Sequence, residues 1–312
     1  MVIPIEIFSQ NLYYKFMLYL AYIEYALVFI SGLFIGSFLN LVSDRVLTSE
    51  GIFLGRSHCD HCKKSLLNKD LFPLLSYLLL KGKCRFCKNP LSIYYPISEI
   101  LTGIIFVSTA IFIRIFDSSS VLAWLAYTFL AVVFSVYIVV FLTDLKARII
   151  PDKVVIFGVI FIIVYIVGNF IYGAYTSYNY LSHDNFGKYL IKTGYWNLQI
   201  VAYLKNFGFT VLSAIGISAF FYLLIFITKG KGMGGGDAKL GFLIGLFNGF
   251  PLNIFGIFAG FLTGAVFSLV LIVLKKKKMK DTIAFGPFLV LGSMIAFFFG
   301  RQLLFWYLNI LK

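Results

Sequence analysis

Two aspartates lie directly beside long apolar segments of the chain. Asp144 follows the apolar segment 121–143, and Asp237 precedes the apolar segment 239–250. A carboxylate beside apolar sequence is costly and often marks a functional site. Two carboxylates that share one proton can activate water and protonate a leaving amine, as in aspartic proteases. Either residue alone could be a helix cap, so the prediction of a protease rests on the pair. Asp152 follows a proline and is interpreted as a helix N-cap.

Glycines and lysines surround the two aspartates in sequence. Gly234 and Gly236 precede Asp237, and a missing side chain would let a substrate backbone approach or would permit a positive φ. Lys146 and Lys239 each follow one of the aspartates by two residues. We expect these four residues to support the pair of aspartates. The glycines would leave room for a substrate, and the lysines would place positive charge near the carboxylates.

The cysteines predict a metal site. All four lie between residues 59 and 87 and form two CxxC pairs: Cys59 with Cys62, and Cys84 with Cys87. The 21 residues between the pairs match the spacing of a zinc ribbon, in which two knuckles complete a tetrahedron of thiolates. Disulfides are the alternative, although they rarely persist in a reducing cytosol. His58 and His61 are interpreted as bystanders, because four thiolates already fill the zinc shell.

The composition indicates a membrane protein. Of the 312 residues, 60% are hydrophobic and 13% are charged, against about 45–50% and about 25% in soluble domains. The apolar residues form runs near the roughly 20 residues that a membrane-spanning helix needs. We predict an all-α polytopic protein with about eight transmembrane helices: Ile23–Val42, Ile100–Phe116, Val121–Thr143, Val154–Ile171, Phe207–Ile227, Lys239–Phe250, Asn253–Leu274 and Ile283–Leu311. The sixth is short enough to be a buried half-span.

The basic residues predict the orientation of these helices. Residues 44–98 hold nine lysines and arginines, 144–153 hold three, 229–239 hold three and 275–281 hold five. These loops alternate onto one face, which the positive-inside rule assigns to the cytoplasm. Both termini and the stretch 172–205 are then expected on the outer side.

The net charge limits the possible binding partners, and the loop lengths indicate the domain boundaries. The net charge of +14 is attributed to loops that face anionic lipid, and nucleic-acid binding is not expected. Three parts are predicted: a first transmembrane segment at 1–43, a small zinc-ribbon-like cytoplasmic insert at 44–98, and a membrane-embedded protease core at 99–312.

An ordered series of motifs resembles the bacterial prepilin peptidases, which are membrane aspartic proteases of the GxGD type. The motifs are, in order, Gly36-Ser-Phe-Leu-Asn40 with Arg45, Arg56-Ser57, both CxxC pairs with Pro73-Leu-Leu-Ser76 between them, Tyr95-Pro96 with Glu99 and Gly103, Asp144 with Ile150-Pro-Asp152, Gly232-Met-Gly-Gly-Gly-Asp237 with Lys239-Leu240, and Phe285-Gly-Pro-Phe288. Any one of them could arise by chance, but the ordered series covers most of the chain and is specific.

The resemblance implies a function for each part of the chain. Asp144 and Asp237 would form the catalytic dyad of a protease in the bacterial inner membrane, acting at the cytoplasmic face. The substrate would be a prepilin or pseudopilin, cut after the glycine that ends a short basic leader. The resemblance also implies methylation of the new amino terminus, with S-adenosylmethionine as methyl donor and the cysteine-bearing insert as the associated part.

Two other classes of function remain open on the sequence. A membrane transporter with a zinc-stabilised cytoplasmic loop would also be apolar and rich in cysteine pairs. Transporters usually place ionisable groups near the bilayer midplane, whereas Asp144 and Asp237 lie at the ends of apolar segments. A zinc-scaffolded adaptor without catalysis would leave Asp237 and its glycines unexplained.

Overall fold

The computed structural model of the protein describes residues 5–48, 51, 57–59, 61–117, 120–230, 232–278 and 282–310, with side chains from residue 19 onward. Arg56, which belongs to the family-like motifs, and Asp60, inside the first CxxC pair, lie outside the described residues.

The described residues are helical and contain no strand, which confirms the all-α prediction. A short 3-10 turn, Asn68–Leu71, precedes α2. The ten helices of the described ranges are α1 Ile5–Thr48, α2 Leu75–Leu79, α3 Tyr94–Ile113, α4 Val121–Ala147, α5 Asp152–His183, α6 Asn185–Lys192, α7 Tyr195–Ile227, α8 Gly235–Asn248, α9 Leu252–Val273 and α10 Gly286–Ile310.

Seven of these helices are long and apolar enough to cross a membrane, and they coincide with seven of the eight predicted spans. They are the segments Tyr19–Thr48, Tyr94–Ile113, Val121–Ala147, Asp152–His183, Tyr195–Ile227, Leu252–Val273 and Gly286–Ile310. The sixth predicted span corresponds to α8, which has only 14 residues. The chain is therefore a multi-pass membrane protein.

The stretch 172–205 continues the helices on either side of it. Helix α5 runs for 32 residues and α7 for 33, and the amphipathic helix α6 joins them. At 1.5 Å per residue both long helices exceed the ~30 Å of a hydrocarbon core. The polar composition of the stretch therefore marks where α5 and α7 leave the apolar segments.

The chain divides into two compact units, Met1–Val139 and Val140–Lys312. In the first unit α1 packs closely against α3 through small residues. A Cβ at Gly32 would lie 2.7 Å from the Cα of Gly103, and one at Gly36 would lie 2.9 Å from the Cα of Glu99. The Gly32-x-x-x-Gly36 pattern of α1 thus permits the close backbone contact typical of small-residue interfaces in membranes. This contact fixes the position of Glu99.

The second unit is organised around α8. Buried residues occur on every side of this helix, because α5, α7, α9 and α10 all contact it. Two glycines let α7 approach: a Cβ at Gly241 would lie 2.6 Å from the ring of Phe221, and one at Gly245 would lie 2.5 Å from the Cα of Ala214. A helix that is apolar all round belongs in a core. Helix α8 therefore holds Asp237 in the interior of this unit.

Candidate active site and metal centre

Asp144 lies in the last turn of α4 and is 5% exposed. Its Oδ2 accepts a hydrogen bond of 2.8 Å from the backbone amide of Gly286, the first residue of α10. The first amides of a helix have no partner within the helix and therefore bind carboxylates well. A Cβ at position 286 would lie 2.8 Å from the same carboxylate oxygen, so the contact requires glycine. Helix α10 thus holds the first aspartate.

Asp237 is the third residue of α8 and is 8% exposed. Its Oδ2 accepts a hydrogen bond of 3.2 Å from the amide of Gly234, the N-cap residue of the same helix. The helix dipole also favours a negative charge in the first turn. Each aspartate therefore rests against the N-terminal amides of a helix, and each keeps a carboxylate oxygen for other partners.

The two carboxylates influence one another. Burial raises the pKa of Asp237 to about 6; the hydrogen bond from Gly234 opposes this shift, and the negative charge of Asp144 adds to it. Asp237 precedes the apolar part of α8, which is not among the seven candidate spans. A carboxyl whose pKa is raised by a second carboxylate is a group that can share a proton with it. This arrangement can support acid–base chemistry on a peptide bond.

Three segments that are distant in sequence meet around this pair within the second unit. The guanidinium of Arg148 donates a 2.7 Å hydrogen bond to the hydroxyl of Thr282, which joins the end of α4 to the start of α10. The residues 144–152, 234–239 and 282–286 therefore lie at one end of the unit. The first two segments lie within the basic loops 144–153 and 229–239, and the third directly follows the basic loop 275–281, whose Lys277 donates a hydrogen bond to the carbonyl of Thr282.

The glycines beside Asp237 differ in what surrounds them. Gly234 has a φ of −89°, and Gly236 lies in the first turn of α8, so neither glycine uses the positive φ that its residue type permits. A Cβ at Gly236 would lie 2.9 Å from the Cβ of Ile150, whereas Gly235 has no neighbour within 4 Å of such an atom. Gly236 thus allows α8 to approach the loop that follows Asp144. Gly234 and Gly235 leave open space beside the carboxylates.

The two lysines near the aspartates lie on different helices, and one of them pairs with Asp152. Lys146 is exposed in the last turn of α4. The Nζ of Lys239 lies 2.7 Å from an Oδ1 of Asp152, and both side chains are about half exposed. Asp152 does not cap α5, because Pro151 occupies the N-cap position and Asp152 is the first helical residue. The prediction of an N-cap is therefore wrong, and the residue instead joins α5 to α8.

We expect Gly286→Ala to lower the rate of any reaction that uses Asp144. The added methyl group would displace either the carboxylate or the amide that binds it, and losing a hydrogen bond to a charged group costs about 1.5–3 kcal/mol. The expected loss in kcat is about 10- to 100-fold. The matched control is Gly216→Ala on α7, where a Cβ would meet nothing within 4 Å. An unchanged kcat in the Gly286 variant would show that this contact does not position Asp144.

Asp237→Asn should raise the melting temperature at neutral pH. Because the folded state raises the pKa of Asp237, the folded protein holds this proton more tightly, and stability falls as pH rises from about 4 through about 6. An asparagine removes this loss, which amounts to about 3 kcal/mol for a shift of about two pKa units. Thermal melts of both proteins between pH 4 and pH 8 provide the measurement. A constant difference across that range would contradict the burial of an ionised carboxylate.

The insert of the first unit contains two equivalent cysteine knuckles. The amide of Cys59 donates to the carbonyl of Lys64, and the amide of Lys63 donates to the carbonyl of Cys59. The same two bonds recur 25 residues later. The amide of Cys84 donates to the carbonyl of Asn89, and that of Lys88 donates to the carbonyl of Cys84. Lys63 and Lys88 both adopt a positive φ, and two isolated β-bridges, His58 with Ser65 and Lys83 with Pro90, close the turns.

The four cysteines converge on one point. All are free thiols, and their Sγ atoms lie within 4.8 Å of one another, with 3.9 Å between Cys59 and Cys87. Four thiolates around a zinc ion at ~2.3 Å would be separated by ~3.8 Å, so the cluster fits a tetrahedral metal ion. The amides of Cys87 and Phe86 lower the pKa of the Cys84 thiol to about 7, which favours a thiolate ligand. His58 and His61 do not join this cluster.

Two contacts of the aspartate site were not predicted from the sequence. The motif Phe285-Gly-Pro-Phe288 does not by itself indicate a role for the amide of Gly286, and Ile150-Pro-Asp152 does not indicate a contact with Gly236. Both contacts join residues more than 80 positions apart. A glycine directly before a proline at the start of an apolar segment is the signal that could have identified Gly286, because Pro commonly occupies the first turn of a helix.

Two family profiles match successive parts of the chain. Residues 30–113 match the profile of the bacterial peptidase A24 N-terminal domain, and residues 131–269 match that of the type IV leader peptidase family. A prepilin leader peptidase/N-methyltransferase of Bacillus subtilis is 27% identical over 91% of this chain and 98% of its own length. The protein of the same name from Aeromonas hydrophila is 26% identical over 93% of this chain and 96% of its own length.

A shorter stretch is more similar to another relative. A prepilin leader peptidase/N-methyltransferase of Myxococcus xanthus is 44% identical over 79 residues, which is 25% of this chain and 24% of that protein. No solved structure matches the chain. These matches do not support the transporter alternative, because these relatives are named as leader-peptide-processing enzymes.

Proposed function

Because this chain belongs to the type IV leader peptidase family, we propose that it is a membrane aspartic endopeptidase that cleaves the leaders of prepilin-like proteins and methylates the new amino terminus. The observation that carries the protease assignment is the pair of buried aspartates, each held by a helix N-terminal amide. Asp144 is bound by Gly286 at 2.8 Å and Asp237 by Gly234 at 3.2 Å.

The mechanism follows from one proton shared between two carboxylates. The ionised member takes a proton from a water molecule, whose oxygen attacks the carbonyl carbon of the scissile peptide bond. The protonated member donates to the carbonyl oxygen. The carboxyl that took the proton from water then donates it to the leaving nitrogen, and the other carboxylate takes a proton back from the tetrahedral intermediate as the C–N bond breaks. The amides of Gly286 and Gly234 fix the two carboxylates before substrate binds, so little reorganisation is needed during the reaction.

The open space beside the two aspartates favours a peptide substrate in an extended conformation. Gly234 and Gly235 present backbone without side chains, and a cavity of about 440 Å³ is lined by the two residues before them, Gly232 and Met233. Its wall includes Met233, Phe261 and Phe285, which are suited to apolar side chains. We assign this region to the residues that flank the cleaved bond. The bond itself is proposed to follow a glycine that ends a basic leader, which is the substrate class of the relatives.

The active site is proposed to face the cytoplasm of a bacterial inner membrane. Three of the basic loops meet at the end of the second unit that holds the aspartates, and the positive-inside rule assigns such loops to the cytoplasm. The basic insert is assigned to the same side. Contacts of these loops with anionic lipid are part of the proposal, and nucleic acid is not an expected partner.

The insert is proposed to bind one zinc ion and to take part in methyl transfer. Cys59, Cys62, Cys84 and Cys87 would hold the zinc ion, which would join the two knuckles and would have no catalytic role, because four thiolates leave no open position. S-adenosylmethionine supplies a methyl group on a sulfonium, which an uncharged amine can attack. The chain must therefore bind the donor and accept a proton from the newly exposed amino terminus.

One experiment tests both activities. Purified protein in detergent is incubated with a prepilin and with methyl-labelled S-adenosylmethionine, and the product is analysed by N-terminal mass. We expect loss of the leader and a gain of one methyl group on the new amino terminus. An intact prepilin would contradict the protease assignment. A cleaved product that never gains a methyl group, with donor in excess, would restrict the function to peptide cleavage.

A further inference from the structure

A second cavity, of about 260 Å³, lies within the first unit between α1, α3 and the cysteine-bearing insert. Its volume is close to the lower end of the ~300–1,000 Å³ of small-molecule sites. All of its lining residues fall between positions 37 and 99, so it contains neither aspartate of the proposed protease. Its place beside the insert makes it a candidate for the second activity.

The wall of this cavity carries charges of both signs and a large apolar part. The residues of charged type are Asp44, Arg45, Lys63, Asp70, Arg85 and Glu99. Leucines and two tyrosines supply the apolar part, among them Leu41, Leu80, Tyr77 and Tyr95. A site with an apolar body and a few converging polar groups is typical of small-molecule binding.

The polar groups of the wall are held in place. Glu99 is 7% exposed, and its Oε2 accepts a 2.7 Å hydrogen bond from the amide of Leu74 at the start of α2. The phenol of Tyr95 donates to Oδ2 of Asp44 at 3.2 Å. A buried carboxylate held by a backbone amide keeps its orientation without a ligand, which lowers the cost of binding one.

The metal site forms part of the same wall. Cys59 and Cys84 both line the cavity, and Arg85 follows Cys84 directly. The guanidinium of Arg85 binds Oδ1 of Asp70 through Nη2 at 2.6 Å and through Nε at 2.8 Å. The second knuckle therefore positions one ion pair of the wall, so the cavity depends on an intact knuckle.

We propose that this cavity binds S-adenosylmethionine and that Glu99 is a carboxylate that contacts the donor. The proposal rests on the methyl-transfer part of the proposed function. The adenine ring of the donor matches the apolar part of the wall, and its carboxylate matches a guanidinium. Its ribose hydroxyls, its ammonium and its sulfonium match carboxylates. Acidic side chains bind ribose hydroxyls in the same way in dinucleotide sites. A basic leader peptide would match the three carboxylates but would be repelled by Arg45 and Arg85.

The test is equilibrium binding of labelled S-adenosylmethionine to the full-length, zinc-loaded protein in detergent. We expect saturable binding that S-adenosylhomocysteine displaces. Glu99→Gln should weaken the affinity at least about tenfold, because a charged hydrogen-bond partner is lost while the side-chain shape is kept. Ser76→Trp adds bulk to the wall without removing a charge and should weaken binding at least as much. Asp184→Asn, at an exposed position outside this unit, is the matched control.

Zinc content and melting temperature are measured on every variant, so that loss of folding is recognised. Wild-type affinity in both Glu99→Gln and Ser76→Trp would overturn the cavity assignment, even if the protein methylates its product. Displacement of the donor by a basic leader peptide but not by S-adenosylhomocysteine would also overturn it. Donor binding that the two variants weaken, without any methylation of product, would support the cavity and contradict the proposed transfer.

Discussion

Asp144→Asn and Asp237→Asn should each lower the rate of leader cleavage by at least about a thousandfold, because members of one catalytic unit are strongly non-additive and losing either removes most of its benefit. Asparagine keeps the shape of the side chain and can accept the hydrogen bonds from Gly286 and Gly234, so folding should be preserved. The measurement is single-turnover cleavage of a prepilin by purified protein, with the melting temperature recorded for each variant.

The matched control for this prediction is Asp152→Asn. This carboxylate also lies near the site, but it is exposed and pairs with Lys239 at 2.7 Å. Exposed ion pairs contribute about 0–1 kcal/mol, so cleavage should change by less than about fivefold. More than a few per cent of wild-type cleavage in either the Asp144 or the Asp237 variant would exclude that residue from the catalytic pair.

Replacing Cys59 and Cys84 together with serine should remove the bound zinc and lower methyl transfer by more than about a hundredfold, since metal-binding free energy is folding free energy in small metal domains. The wild-type protein should contain about one zinc per chain at ~2.3 Å from four sulfurs, measured by elemental analysis and X-ray absorption. Cleavage should fall much less, because the insert belongs to the first unit and both aspartates to the second.

His61→Ala serves as the control, because this exposed histidine lies within the first knuckle but outside the cluster of sulfurs. The zinc content of the His61→Ala variant should equal that of the wild-type protein. Sulfurs paired at disulfide distance in the purified protein would refute the metal site. Equal losses of cleavage and methylation in the double cysteine variant would show that the protease also requires a folded insert.

The sequence predicted the features that depend on neighbouring residues. The apolar segments identified the long helices, because a helix is the structure that satisfies backbone hydrogen bonds in hydrocarbon. The positions of Asp144 at the end of one helix and of Asp237 at the start of another followed from where the apolar runs stop. The cysteine knuckles were predictable for a similar reason, since each CxxC pair is a local turn and the tetrahedron needs two of them.

The features that depend on packing were not predictable from the sequence. The contact of Asp144 with Gly286 spans 142 residues, and the pairing of Asp152 with Lys239 spans 87. Nothing local distinguishes Asp152 as an N-cap from Asp152 as a partner of a distant lysine. The central place of α8 likewise depends on the four helices around it. The cavity beside Glu99 is formed by α1, α3 and the insert together, so no single motif marks it.

The bond between Asp144 and Gly286 has a consequence for the order of biosynthesis. The ribosome completes α4 long before it reaches α10, so Asp144 enters the membrane without the amide that holds it. We expect the proposed catalytic pair to be incomplete until α10 is inserted, so full proteolytic activity should appear only late in translation. A nascent chain that stalls or is cut before residue 286 would be a membrane protein with both aspartates but without a working protease. This timing would protect partly made chains and nearby substrates from premature cleavage.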